Sequence, residues 1–148
     1  MEHALAVIEP TDAAKELVTE AGIIAESLDA TLLLTHVTTG KEYSARREAM
    51  ESLMSSSANY TADDAQEGAE QFASDMGSEL LTDRDVEYEV RGYLGNKATK
   101  ILDAAEEYDC DHIFLAGRQR SPTGKALFGD ATQRVILDFD GPVTVVTD

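Results

Sequence analysis

The sequence predicts an α/β fold, a five-stranded, mostly parallel sheet with helices on both faces. Short apolar or alternating runs recur along the chain, and the segments between them place apolar residues at helical spacing. Gly, Pro, Thr or Asp marks most of the junctions. Strands that alternate with helices favour parallel pairing, because each helix carries the chain back across the sheet before the next strand begins.

Leu5 to Ile8 is the first strand, closed by Glu9-Pro10-Thr11-Asp12. Ala13, Ala14, Leu17, Val18, Ala21, Ile24, Ala25 and Leu28 then follow a helical period, with Thr11 or Asp12 as N-cap. Thr31 to Val37 is nearly all apolar, as a strand covered on both faces should be. Lys41 to Met54 reads as a helix, and Ser55 to Tyr60 breaks it. Thr61 to Leu81 resumes as a helix with Ala65, Ala69, Phe72, Ala73, Met76 and Leu80 on one side. Val86 to Val90 alternates as a third strand, and Gly92 and Gly95 turn the chain into a helix bearing Ala98, Ile101, Leu102 and Ala105. His112 to Ala116 is a fourth strand, followed by a loop from Gly117 to Gly129. The last helix carries Ala131, Val135, Ile136 and Phe139 and stops at Gly141-Pro142, before a final strand, Val143 to Val146.

A chain of 148 residues, 43% of them hydrophobic, fits one domain over residues 1–148. The single cysteine, Cys110, excludes an internal disulfide framework and fits a reducing compartment. The acidic start and the short apolar run ending at Glu9-Pro10 match neither a signal peptide nor a membrane span, so the expected location is the cytoplasm. Twelve Lys and Arg face 29 Asp and Glu, a formal charge of −17. Such a surface repels nucleic acid and anionic membranes, and neither is an expected partner. The acids are spread along the chain, which points to a salt-adapted (haloarchaeal-type) surface. At molar ionic strength the Debye length is roughly 3 Å and like charges are screened. An acidic surface in a low-salt organism is the alternative.

In open parallel sheets, ligands bind beyond the carboxyl ends of the strands, where strand order reverses. Two segments have chemistry suited to that place: Pro10-Thr11-Asp12 and the loop from Gly117 to Asp130. Glycine lets the backbone approach an anion, and the following helix start offers unpaired N–H groups. Four of the twelve basic residues, Arg118, Arg120, Lys125 and Arg134, fall close together in this loop and the helix start after it. Pairing of these cations with acidic neighbours or a second subunit is the competing explanation. The loop is no Walker motif: six residues separate Gly117 from Gly124-Lys125, and Ala126 stands where Ser or Thr would hold magnesium. No Gly-x-Gly-x-x-Gly follows the first strand either.

The loop and its strand-helix-strand frame resemble the universal stress protein family. Gly117 matches the first glycine of that family's C-terminal signature, Gly129 its last, and Gly141-Pro142-Val143 the start of its closing strand. Pro10-Thr11-Asp12 is similar to the turn after the family's first strand, and His36-Val37 to the end of its second. The resemblance implies a Rossmann-like fold of the adenine nucleotide alpha hydrolase type. It also implies adenine contacts from the backbone near Val37, a ribose or phosphate-side role for Asp12, and phosphate contacts at Gly117, Gly129 and Asp130, with Pro10, Thr11, Arg118, Arg120 and Ala131 as further nucleotide-binding residues. Three departures stand out. Arg120 fills the slot of the second glycine, eight residues rather than nine precede Gly129, and Asp130 replaces the Ser or Thr of nucleotide-binding members. A carboxylate at Asp130 would repel phosphate by a few kcal/mol (about 4 at 4 Å in an intermediate dielectric) unless Mg²⁺, Arg118 or Arg120 compensates.

Three functional expectations follow from that resemblance. The first is a stress-response or signalling module that binds ATP, with Mg²⁺, or a related adenine nucleotide, without fast turnover. The second is an interaction module of the same fold that binds no nucleotide and works as a homodimer through Val143, Thr144, Val145 and Val146 in the last strand. The third is a slow nucleotide hydrolase with Mg²⁺ held by Asp12 or Asp130. No nucleophile-base pair is evident, so no catalytic residue is assigned. His3, His36 and His112 lack paired ligand spacing, and no metal site is assigned. Cys110, between Asp109 and Asp111, reads as a packed small residue, since flanking acids raise a thiol pKa. Met50, Met54 and Met76 read as core positions. The carboxylates of Asp63-Asp64, Glu106-Glu107 and Asp83 to Glu89 read as solvated faces.

Overall fold

The computed structural model describes residues 1–53, 60–117 and 128–147. In chain order its elements are β1 (His3–Val7), α1 (Asp12–Leu28), β2 (Thr31–Thr38), α2 (Gly40–Leu53), α3 (Ala62–Leu81), β3 (Tyr88–Leu94), α4 (Lys97–Glu107), β4 (His112–Gly117), α5 (Asp130–Asp138) and β5 (Val143–Thr147). The five strands form one sheet in the order β3-β2-β1-β4-β5, and every pairing is parallel. The expected α/β architecture is therefore present.

The side-chain alternation of β1 explains the layers. Ala4, Ala6 and Ile8 point to one face and pack with Leu17, Val18 and Ala21 of α1 and with Ala73 and Met76 of α3. Leu5 and Val7 point to the other face and pack with Ile101 and Ala104 of α4 and with Val135 of α5. Each fully buried Leu or Val removes apolar surface from water, worth about 1.5–3 kcal/mol apiece. Burial on both faces explains why β1 and β2 read as continuous apolar runs.

Local signals set the helix ends. The Thr11 hydroxyl accepts from the Ala14 amide at 3.1 Å, so Thr11 rather than Asp12 is the N-cap of α1. Thr61 and Asp64 form a reciprocal capping box at the start of α3. Asp64 is thus part of a cap as well as a solvated acid. The helix α1 ends at Asp29 in the left-handed region, φ 55°, which leaves Leu28 exposed instead of buried.

Three other expectations shift. The third strand runs Tyr88–Leu94, later than its alternating run suggested, and Gly92 lies within it. Gly95, with φ 151°, makes the turn. At Gly92 a Cβ would come 2.2 Å from the Glu70 nitrogen and 2.5 Å from the Gln66 carbonyl oxygen. The glycine therefore permits the backbone of α3 to lie against β3. Met50 is exposed, because α2 buries none of its residues, whereas Met76 is in the core. Met54 lies outside the described residues. Finally, α5 stops at Asp138, with Phe139 as C-cap, before Gly141-Pro142 is reached.

Cys110 is buried, and burial first, then Asp111 and Asp109, pushes its thiol up to about 11. It is a packing residue. Two histidines have structural partners as well. His36 Nδ1 lies 2.7 Å from the Ile8 carbonyl oxygen, and His112 Nε2 lies 2.8 Å from Thr144 Oγ1, tying β4 to β5.

Replacing Gly92 with Ala is expected to destabilise the fold by about 2–3 kcal/mol, since the added methyl meets helix backbone and not a yielding side chain. Denaturant unfolding at constant KCl measures this. An unchanged midpoint would mean that α3 does not press on β3.

Candidate functional site

Strand order reverses between β1 and β4: the chain goes from β1 out to β3 on one side, then returns to lay β4 on the other. The loops after β1 and β4 must diverge there, and the divergence opens a crevice at the carboxyl edge. Among the described residues, a hollow of ≈ 470 Å³ on this edge is lined by Glu9, Thr11, Ala13, Lys97, Ala116, Gly117, Gly129 and Thr132. A second hollow of ≈ 560 Å³ lies beside it, lined by Thr39, Gly40, Gly95, Asn96, Lys97, Ala98, Asp130, Ala131 and Arg134. Lys97 borders both.

Each wall has a local cause. Thr39 and Glu42 exchange hydrogen bonds of 3.1 Å at the start of α2, which fixes the loop after β2. The Gly95 amide donates to the Thr38 carbonyl oxygen at 3.0 Å, which holds the turn after β3 against the end of β2. Asn96 then caps α4, its Oδ1 accepting from the Thr99 amide at 3.0 Å. The same Oδ1 accepts from Arg134 Nη1 at 3.2 Å, and Arg134 also donates to Thr99 Oγ1 at 2.8 Å. Asn96 and Thr99 thereby anchor α5 to α4.

The start of α5 is different. Gly129 is its N-cap and supplies no side-chain cap, and a Cβ built there would meet nothing within 4 Å among the described residues. The first amides of a helix carry no partner within the helix and sit at the positive end of its dipole. Among the described residues, Gly129 at this helix start borders the crevice. Gly117 is tighter: a Cβ would lie 2.9 Å from Val145 Cγ1 and 3.0 Å from Phe128 Cδ1. Its lack of a side chain thus serves packing as well as access.

The residues expected from sequence divide into groups. Thr11, Gly117 and Gly129 meet in the crevice, and Asp130 and Ala131 line the adjoining hollow. Pro10 and Asp12 open instead onto a third hollow, with Lys15, Phe72, Asp75, Met76 and Glu79 on the α1–α3 side. Thr11 borders that hollow too and so links the two sides. The Val37 side chain is buried in the core on the α4 face. Arg118, Arg120 and Lys125 lie outside the described residues. Glu9, Lys97 and Asn96 were missing from the expected set, while Arg134, one of the four basic residues noted in sequence, lines the adjoining hollow. Glu9 and Lys97 form an ion pair across the crevice, with side chains 22% and 28% exposed. The available signal was the Gly95-Asn96 turn, which ends a strand in the same way as Pro10-Thr11 does.

The fold and this edge define an open parallel α/β protein with an anion-suited crevice at its switch point. The profile of the universal stress protein family matches residues 1–147, and the chain belongs to that family. A universal stress protein of Mycolicibacterium smegmatis is 36% identical over 67 residues, 45% of this chain and 52% of that protein. The match therefore spans about half of that relative's length. Among solved structures, hypothetical protein MJ0577 superposes with a TM-score of 0.73 at 19% identity, covering 99% of this chain and 96% of that one. A universal stress protein from Archaeoglobus fulgidus in complex with dAMP has a TM-score of 0.62 at 18% identity, with coverages of 99% and 97%. Another in complex with cAMP has a TM-score of 0.64 at 15% identity, with coverages of 99% and 96%. At such identities the likeness is one of fold. No helix among the described residues is long and apolar enough to cross a membrane.

Asn96→Ala is expected to cost about 1 kcal/mol, because it removes the cap of α4 and an acceptor of Arg134 together. Asn96→Asp keeps both acceptors and should unfold near the wild-type midpoint. Equal midpoints for the Ala variant and the wild type would show that the cap contributes nothing.

Proposed function

We propose that this chain is a stress-response module that binds an adenine nucleotide, ATP or a close relative, in the crevice between β1 and β4 without fast turnover. One observation carries the reading. Among the described residues, the start of α5 has no side-chain cap, and its N-cap Gly129 borders a crevice that Lys97 also lines, at the point where parallel α/β folds take ligands. Related structures in complex with cAMP and dAMP support an adenine nucleotide as the ligand class. Asp130 at the first turn of α5 disfavours bare phosphate, so Mg²⁺ would accompany a triphosphate there. Thr11, which borders the crevice, would serve the ribose side, the backbone near Val37 the adenine, and Gly117, Gly129 and Ala131 the phosphates, while Pro10 and Asp12 open onto the hollow on the α1–α3 side. The third expectation, slow hydrolysis, becomes the reading if stripped protein releases phosphate over time.

Edge strand β5 favours a second, compatible role. Val143, Thr144, Val145 and Val146 are only half-buried, and α5 just before them leaves Leu137 80% exposed. A homodimer formed through this strand would cover that edge.

Protein purified in KCl and then denatured should release adenine nucleotide, and the stripped protein should bind Mg-ATP by calorimetry. Gly129→Ala places a methyl where the phosphate would bind, and among the described residues that methyl meets nothing within 4 Å. It should weaken ATP by at least about tenfold while shifting stability by less than about 1 kcal/mol. Full affinity in this variant would move the ligand elsewhere. Sedimentation equilibrium should return a dimer mass, and a monomer at micromolar concentration would discard the second role.

A further inference from the structure

Lys97 occupies an electrostatically awkward position. It is the first residue of α4, where the positive end of the helix dipole disfavours a cation. The other helices carry acids in their first turns: Asp12 in α1, Glu42 in α2, Asp63 and Asp64 in α3, and Asp130 in α5. The first turn of α4 has none. The anion that meets Lys97 comes from across the crevice, where Glu9 follows the end of β1. Pro10 follows Glu9 and biases its backbone toward extended conformations, so side-chain rotation is the simplest way for the carboxylate to leave Lys97. Glu9 borders the crevice together with Gly117 and Gly129, and Lys97 borders both hollows.

We propose that Glu9 is an internal competitor for the ligand's phosphate. In the empty crevice its carboxylate is the counter-ion of Lys97. A nucleotide phosphate displaces it toward solvent and takes Lys97 for itself. This inference rests on the nucleotide reading above and adds a determinant of specificity to it. A neutral nucleoside has no group to exchange for Glu9 and gains nothing from Lys97. A ligand of higher charge exchanges better, so ATP is preferred over AMP and AMP over adenosine. The affinity of the wild type is lower than its cations alone would give, because the binding-competent arrangement must first release Glu9.

The test is a calorimetric cycle on the stripped full chain at constant KCl, with ATP and adenosine as probes. Glu9→Gln keeps the shape and removes the charge; it should tighten ATP about tenfold and leave adenosine within about twofold. Lys97→Met should weaken ATP about tenfold, and Lys97→Arg, which keeps the cation, should retain most of it. In the Lys97→Met background the gain from Glu9→Gln should shrink to about twofold or less, the signature of two groups that act on each other. An equal gain in both backgrounds would reduce Glu9 to a general negative charge and overturn the proposal. A loss of ATP affinity in a folded Glu9→Gln variant would make the pair a structural tie, and would also overturn it. If the wild type binds ATP and Glu9→Gln binds it no better, the competition fails and the nucleotide reading stands. If neither binds ATP, both fail.

Discussion

The burial of β1 on both faces and both edges is the constraint from which the rest of the structure follows. Ala4 to Ile8 are essentially inaccessible to water, and β1 has β2 on one side and β4 on the other. A strand so enclosed must be apolar throughout, and its backbone groups must all pair in the sheet. It also fixes where the chain can open. Helices leaving the two flanks of β1 pack on opposite faces, so the carboxyl edge beside it is the place that the layers leave uncovered. The crevice is a product of the strand order, and the residues around it supply its chemistry.

That chemistry is drawn from four loops, with helix starts as the common material. Thr39, Asn96 and Thr11 satisfy amides at three of those starts through their own side chains. At the fourth, Gly129 brings no side-chain cap of its own. The contrast is physical: a helix start already capped by Ser, Thr or Asn has less to offer an anion than one capped by glycine. In a chain of net charge −17, an anion would otherwise meet repulsion over most of the surface. At this edge Lys97 and Arg134 line the hollow beside the start of α5.

Much of the fold was legible because its signals are local. The periodicity of α1, the Thr61 cap and the apolar runs of β1 and β2 lie within single segments. The third strand was harder to place, since Gly92 reads as a turn residue in sequence and becomes a strand residue only because α3 lies against it. Met50 follows a helical period, yet no neighbour covers α2. In the crevice, Thr11, Gly117 and Gly129 belong to recognisable turns. The partnership of Glu9 with Lys97, and of Asn96 with Arg134, joins residues far apart in the chain. Nothing in either local sequence encodes the partner, and only the strand order brings them together.

The exposed helix α2 has a consequence of its own. None of its residues is buried, and its described ties outside the helix include the part-buried hydrogen bond from the Tyr43 hydroxyl to the Tyr60 carbonyl oxygen. Its opening would expose almost no apolar core, so its folding equilibrium is separable from that of the sheet. Sequence along this helix is thereby released from the packing demands that confine α1, α3 and α4. The molecule joins a frame that tolerates little change to an outer segment whose surface can be rewritten at small cost.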